Sequence, residues 1–252
     1  MKKKKSYSII YYFGGIGILI LAWYIGSEVR PDKFPSIIKV LEAIFSEDNI
    51  NTHLNNVITT FFNSFKGLLI STIISVVLVI SVALVSNLEY IINPISVFIK
   101  ATPVVALVPL FMIIMTSEES YVASSVAISF FPIYIAGIDG LKRVPNKVLN
   151  LASVYNTNKW NQLKHFKIGY VLESITSSFQ VAGPLSVVGA IVGEYIVGGK
   201  MSLGVFIASN TSSLLIVPRF ASTILAFLLG FSFYLMGYFL HKWYEKNIRV
   251  HK

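Results

Sequence analysis

Residues Gly67–Val85 read GLLISTIISVVLVISVALV, nineteen positions without one charged side chain. A helix rises about 1.5 Å per residue, so a run of this length comes close to the ~30 Å of hydrocarbon it would have to cross in a bilayer. This run is therefore a membrane-spanning helix, taken here as residues 66–86. Five more stretches have the same character: residues 6–27, 94–117, 121–139, 173–196 and 219–241. Within their apolar cores Lys100 alone is charged. The expected fold is an all-α integral membrane protein of about six transmembrane helices, forming one transmembrane domain over residues 1–252.

Composition agrees. Of the 252 residues 54% are hydrophobic and only 13% charged, where a soluble domain carries about a quarter charged residues. The spans leave no room for a separate catalytic domain. The chain has no cysteine, which removes disulfides, thiolate nucleophiles and thiolate metal sites. No two of its four histidines share the spacing of metal ligands, so no metal site is expected. The net charge of +9 could point to nucleic acid, but the basic residues sit between the apolar runs. There they report topology, because lysine and arginine are retained on the cytoplasmic side.

The opening Met1-Lys2-Lys3-Lys4-Lys5 resembles a signal-peptide start, yet the run after it is long and lacks a small-x-small cleavage site. It reads as an uncleaved first span with the lysines inside. Alternation then places both termini and residues 142–170 in the cytoplasm, with 14 of the 21 Lys and Arg residues on that side. Met201–Pro218 is uncharged but rich in Ser, Thr and Asn. It is expected to be external or re-entrant, the latter only where protein or a water-filled cavity satisfies its backbone.

The 142–170 loop, between spans four and five, is patterned. Val148, Leu149, Leu151, Ala152 and Tyr155 fall near helical spacing, and Asn156-Thr157-Asn158 interrupts them. Asparagine tolerates left-handed backbone and caps helix starts, so a second short helix is expected from Lys159. The resulting helix-turn-helix would offer Trp160, Leu163 and Phe166 to a partner. Spacing alone equally allows an amphipathic loop held by its basic residues on the lipid surface. The flanking spans confine the segment to the lipid surface, which disfavours a DNA-reading role.

Ordered landmarks then accumulate. They are Phe34-Pro35-Ser36 with Val40, Thr59-Thr60-Phe61 with Gly67, Asn93-Pro94, Thr102-Pro103 through Pro109-Leu110, and Phe130-Phe131-Pro132. Later come Gly137-Ile138-Asp139-Gly140-Leu141 with Val144-Pro145, then Gly193-Glu194-Tyr195 with Ser202-Leu203-Gly204. In these the chain resembles permease subunits of binding-protein-dependent ABC importers, in the branch that carries nitrate, sulfonates, taurine and thiamine-precursor pyrimidines. The resemblance covers nearly the whole chain. It implies a non-enzymatic transport subunit in the plasma membrane that binds no cofactor of its own. ATP and Mg would sit on partner ATPase subunits, an extracytoplasmic binding protein would deliver the solute, and a second permease copy, like or unlike, would help enclose the pathway.

The family's cytoplasmic signature is Glu-Ala-Ala, then a glycine, then Leu-Pro; the corresponding positions here are Asn150, Leu151, Ala152, Asn156 and Ile168-Gly169, of which only Ala152 keeps the family residue. The resemblance implies that Leu151, Ala152, Tyr155, Asn156, Thr157, Asn158, Trp160 and Leu163 form the ATPase-coupling segment. Energy has to arrive from outside, since the nearest approach to a phosphate loop, Gly193 through Gly198-Gly199-Lys200-Met201, has the wrong register and no Ser or Thr after the lysine.

Further candidates come from residue chemistry. Glu194 is an ionisable group at the end of a span, which marks either a solute contact or, the reading favoured here, a carboxylate satisfying backbone donors of the Gly198–Gly204 turn. Pro103 and Pro109 remove backbone hydrogen bonds beside Thr102 and bend or unwind span three, exposing carbonyls to a pathway or only kinking it. Ser202 and Gly204 join these as pathway or gate candidates. Gly189 and Gly193 form a Gly-xxx-Gly face for close helix packing, within the subunit or against a second copy. The rival readings are a self-contained secondary transporter or channel and a membrane-embedded enzyme. The first calls for ionisable groups buried mid-span and the second for clustered catalytic side chains, and neither is evident.

Overall fold

The computed structural model describes residues 2–155, 157–209 and 216–247, with side chains from Gly14 onward except at positions 16, 47–49 and 209. All regular structure among them is helical. The order is α1 (Lys2–Val29), α2 (Ile37–Phe45), α3 (Glu47–Leu84), α4 (Leu88–Ala101), α5 (Val104–Ile114), α6 (Ser117–Lys142), α7 (Asn146–Val154), α8 (Lys159–Gln162), a π-helical turn (Leu163–Lys167), α9 (Ile168–Val197), α10 (Leu203–Ser209) and α11 (Ile216–Asn247).

Among the described residues four helices are long and apolar enough to cross a bilayer: Ile50–Leu84, Ser117–Lys142, Lys159–Val197 and Ile216–Asn247. The bent pair α4–α5 makes a fifth if counted as one crossing. The remaining expected span coincides with α1, whose first side chains fall outside the described residues.

Close approaches fix the directions. Gly67 of α3 abuts Ser125 of α6, and Gly137 of α6 abuts Val79 of α3, so these two helices run parallel. Gly193 of α9 meets Tyr121 while Gly140 meets Val171, so α9 runs antiparallel to α6. Helix α11 returns against α9, with Gly183 on Phe233 and Tyr244 Oη donating to the Gly169 carbonyl at 2.9 Å. The bundle therefore has two ends. At one, called the elbow end, lie Arg143, α7, α8 and the tail of α11. At the other, the mouth, lie α10, Gly198 and the aromatic group in which Trp23, Phe34 and Phe220 stack edge to face. Trp23 Nε1 also donates to the Pro35 carbonyl there at 2.9 Å.

The apolar core threads α3, α6, α9 and α11 through Val79, Ile133, Tyr134, Ile175, Val187 and Phe233. Serines fill the seams where helices touch, as transmembrane packing favours small residues and short interhelical hydrogen bonds. Ser125 Oγ donates to the Ser186 carbonyl at 2.8 Å and Ser129 Oγ to Ser71 Oγ at 2.9 Å. Outward positions such as Phe98, Ile113, Phe227 and Phe239 are exposed and apolar, which suits lipid as the solvent.

Span three breaks where Pro103 was expected to bend or unwind it, α4 and α5 turning by 102° at Thr102-Pro103. Thr102 is extended with ψ 123°, the conformation that a following proline imposes, and Pro103 has no N–H to continue the ladder. Two expectations about boundaries need correcting. Asn93-Pro94 does not open the helix, which begins at Leu88 and contains Pro94. The second short helix of the elbow does not end before span five; from Lys159 to Val197 the chain is one continuous 39-residue rod.

Helix boundaries elsewhere follow local chemistry. Thr116 and Glu119 form a reciprocal capping box at the start of α6. Asn158 caps α8 as expected, its Oδ1 accepting from Asn161 N at 2.8 Å. The rod ends at Gly198 and Gly199, with φ of 70° and 97° that only glycine adopts cheaply. Of Met201–Pro218, residues 203–209 form α10, tucked against α3, α9 and α11, while 210–215 lie outside the described residues.

Candidate functional site

Helices α3, α6 and the bent α4–α5 pair leave a cavity of about 1100 Å³ between them. Its wall is hydrocarbon and aromatic ring: Ile70, Ile74, Leu78, Ile95, Phe111 and Phe130 are typical. Polar groups gather at the mouth, where Asn63, Lys66, Glu118 and Glu119 line it. Most are already engaged. Glu118 pairs with Lys200 at 3.3 Å, and the Glu119 carboxylate accepts from Thr116 N and Oγ1 at 2.9 and 2.8 Å. Lys66 makes no ion pair among the described residues.

Beside this mouth, Glu194 is fully buried. Its Oε2 accepts from Thr60 Oγ1 at 2.9 Å and from Gly204 N at 3.0 Å, and its Oε1 accepts from Asn63 Nδ2 at 2.9 Å. Thr60 Oγ1 in turn accepts from Leu203 N at 3.0 Å. A single carboxylate thus clasps α3, α9 and the first turn of α10, whose N–H groups have no partner within the helix. No side chain fits at Gly204, where a Cβ would stand 2.5 Å from the Ile191 carbonyl oxygen.

At the opposite end the elbow holds itself together. Thr157 N and Oγ1 both donate to the Ala152 carbonyl, at 3.2 and 2.8 Å, and Gln162 Nε2 donates to the Thr157 carbonyl at 3.1 Å. Tyr155 and Trp160 project outward, 72% and 53% exposed.

Residues 67–250 match the family described as the inner membrane component of binding-protein-dependent transport systems. The chain belongs to this family. It is similar, at 24% identity over 90% of its length and 94% of the relative's, to a probable ABC transporter permease protein of Haemophilus influenzae. It is 29% identical to the formylaminopyrimidine transport permease protein ThiX of Halalkalibacterium halodurans, over 75% of this chain and 76% of that one. A third relative, the riboflavin transport system permease protein RibX of Chloroflexus aurantiacus, is 28% identical over 48% of this chain and 45% of its own. The permease is accordingly a non-enzymatic, multi-pass subunit of the plasma membrane, of a family that works with ABC ATPases and solute-binding proteins.

In this permease the sequence-derived pathway candidates fall in separate places. Thr102 and Pro103 line a smaller cavity of about 300 Å³, where Lys100 Nζ lies 4.4 Å from the Phe131 ring centre. Pro109 sits within α5 and borders neither cavity. Glu194, Ser202 and Gly204 belong to the clasp and are buried. Gly189 and Gly193 meet α6 of the same subunit at Ser124, Ser125 and Tyr121. In the elbow, Leu151, Tyr155, Asn158 and Trp160 are exposed, but Leu163 is 3% exposed and Ala152 is buried, so these two face inward rather than toward a partner. Asn156 lies outside the described residues.

Thr60, although part of a quoted landmark, and Asn63 were not among the expected site residues, because α3 was expected to begin near residue 66 rather than at Glu47. A signal was present: His53, Asn56, Thr60, Asn63 or Ser64, Ser71 and Ser75 recur at three- to four-residue steps or their multiples, which stacks polar groups on one helical face. Such a face must be covered by protein, and all seven are buried.

Proposed function

We propose that this permease imports a small heteroaromatic solute, handed over by an extracytoplasmic binding protein at the mouth and driven inward by ATPase subunits docked on the elbow. The wall of the 1100 Å³ cavity carries the substrate class. Bare nitrate or sulfonate would exchange hydration for hydrocarbon along most of that surface, a heavy cost for an unpaired ion. The mouth offers an anion no net attraction either, since Lys66 and Lys200 are matched by Glu118 and Glu119. A flat ring loses little on entering and can stack on Phe111 and Phe130. The relatives named for formylaminopyrimidine and riboflavin support this choice between the two classes that the family resemblance implies.

Orientation follows from charge. Lys142, Arg143, Lys147, Lys159, Lys164, Lys167, Lys242 and Lys246 lie on or beside the elbow end, which the positive-inside bias puts in the cytoplasm. A second permease subunit would close the open side of the cavity.

The test is uptake by proteoliposomes containing the permease, its ATPase and its binding protein. ATP-dependent accumulation of formylaminopyrimidine or riboflavin is expected, with none of nitrate or taurine. Accumulation of the anions alone would overturn the substrate class, and uptake without any ATPase would return the protein to the secondary-transporter reading. The docking role predicts that Tyr155→Ala and Trp160→Ala together cut co-purification with the ATPase about 10-fold or more, as losing exposed aromatic anchors of an interface does. Thermal melting of the isolated permease should stay unchanged, because neither ring is buried.

A further inference from the structure

We propose that Asn63 determines which face of a heterocycle the permease accepts, presenting its side-chain carbonyl to the solute because the buried Glu194 commands its amide nitrogen. The inference rests on the heteroaromatic reading above and adds a residue and a polarity to it.

Three observations carry it. Asn63 borders both the large cavity and the adjoining one at the mouth, although the residue is only 7% exposed. Its Nδ2 is committed to Glu194 Oε1 at 2.9 Å, while its Oδ1 has no hydrogen-bond partner among the described residues. That oxygen is not sealed off, in contrast to the amide of Asn56 seven residues earlier, where both polar atoms are enclosed and unpartnered. An acceptor left open at a cavity is a group waiting for a donor, since a buried polar atom without a partner costs free energy.

The orientation of the amide is dictated from behind. Gly204 N–H can only donate, and the Thr60 hydroxyl, which already accepts from Leu203 N–H, must direct its own proton onward. Both converge on Glu194 Oε2. With Glu194 ionised, the other oxygen acts as acceptor toward Asn63, which answers with its NH₂ and so turns its carbonyl to the cavity. The solute edge complementary to this carbonyl is an N–H donor such as a ring amino group.

The same geometry supplies a discriminating experiment. In Glu194→Gln the side-chain carbonyl must take the Oε2 position to serve Thr60 and Gly204, which leaves its NH₂ facing Asn63. The asparagine then rotates to accept, and the cavity sees an NH₂ instead of a carbonyl. The clasp hydrogen bonds to Thr60, Gly204 and Asn63 are remade, so the complex should still assemble. Competition against uptake of radiolabelled formylaminopyrimidine would be measured with two probes, aminopyrimidine, which offers a donor, and methoxypyrimidine, which offers only acceptors. The wild type should favour aminopyrimidine about 10-fold, the scale of one hydrogen bond. Glu194→Gln should reverse the order, and Asn63→Leu should bring the ratio near one. A ratio that is the same in all three proteins would overturn the inference while leaving heterocycle transport intact. A wild type that takes up no heterocycle sinks the substrate class, and this proposal with it.

Discussion

Gly189→Val is expected to be among the most damaging substitutions in the transmembrane bundle. A Cβ at Gly189 would stand 2.6 Å from both the Ser124 carbonyl oxygen and the Ser125 Cα. Those are backbone atoms, so no side chain can swing aside, and α6 and α9 would have to separate along their length. Separation also strains the Gly193 contact one turn away, where a Cβ would lie 2.9 Å from the Tyr121 Cα. Overpacking of ordinary cores costs about 1–3 kcal/mol, and a clash against backbone belongs at the upper end. A fall on the order of 10 °C in the detergent melting temperature follows for a chain of this size, together with a loss of yield. Gly230→Val is the control, since a Cβ there meets nothing within 4 Å. Equal melting of the two variants would remove the close-packed α6–α9 seam from the account of stability.

The second large effect is expected for Glu194→Ala. It strands four buried donors at once: the Thr60 and Ser202 hydroxyls, the Asn63 amide and the Gly204 N–H. Each donor left without an acceptor costs roughly 1–3 kcal/mol, and the vacated volume adds to this. The first turn of α10 should release from α3, so that protease sensitivity near Leu203 rises and transport falls with it. Glu194→Gln, which can remake the same contacts, should melt close to the wild type. If alanine and glutamine are equally harmful, the negative charge itself matters and the clasp is not the reason Glu194 is there.

The contrast between these two sites shows what the amino-acid sequence reveals. Gly189 and Gly193 were recognisable as a packing face from four-residue spacing, and only their partner, α6 rather than another subunit, needed the fold. Glu194 stood out as the lone acid after a long uncharged run, beside the turn whose Gly204 N donates to it. Its α3 partners could not be found that way, because Thr60 and Asn63 lie more than 130 positions earlier in the chain. Hydropathy located the spans but misjudged their ends. Residues 47–66 and 159–172 are too polar to register as membrane segments, yet they continue α3 and the α8–α9 rod. It also ran through Thr102-Pro103, where proline chemistry rather than hydropathy marked the turn between two equally apolar pieces. In the elbow, periodicity indicated a helix pair and Asn158 its cap, but not that Leu163 would turn inward.

The unbroken rod from Lys159 to Val197 constrains how the gene can change. Each residue added to a helix rotates everything beyond it by about 100°. One codon gained or lost between Ile168 and Gly193 would swing Glu194 off Thr60, or Trp160 off the outer surface, with no loop in between to absorb the error; a wider turn at 163–167 and the missing N–H of Pro184 are irregularities along its course. Length variation among relatives should therefore collect in the short connections on either side, at 155–158 and 198–202, while the stretch between them keeps a fixed count.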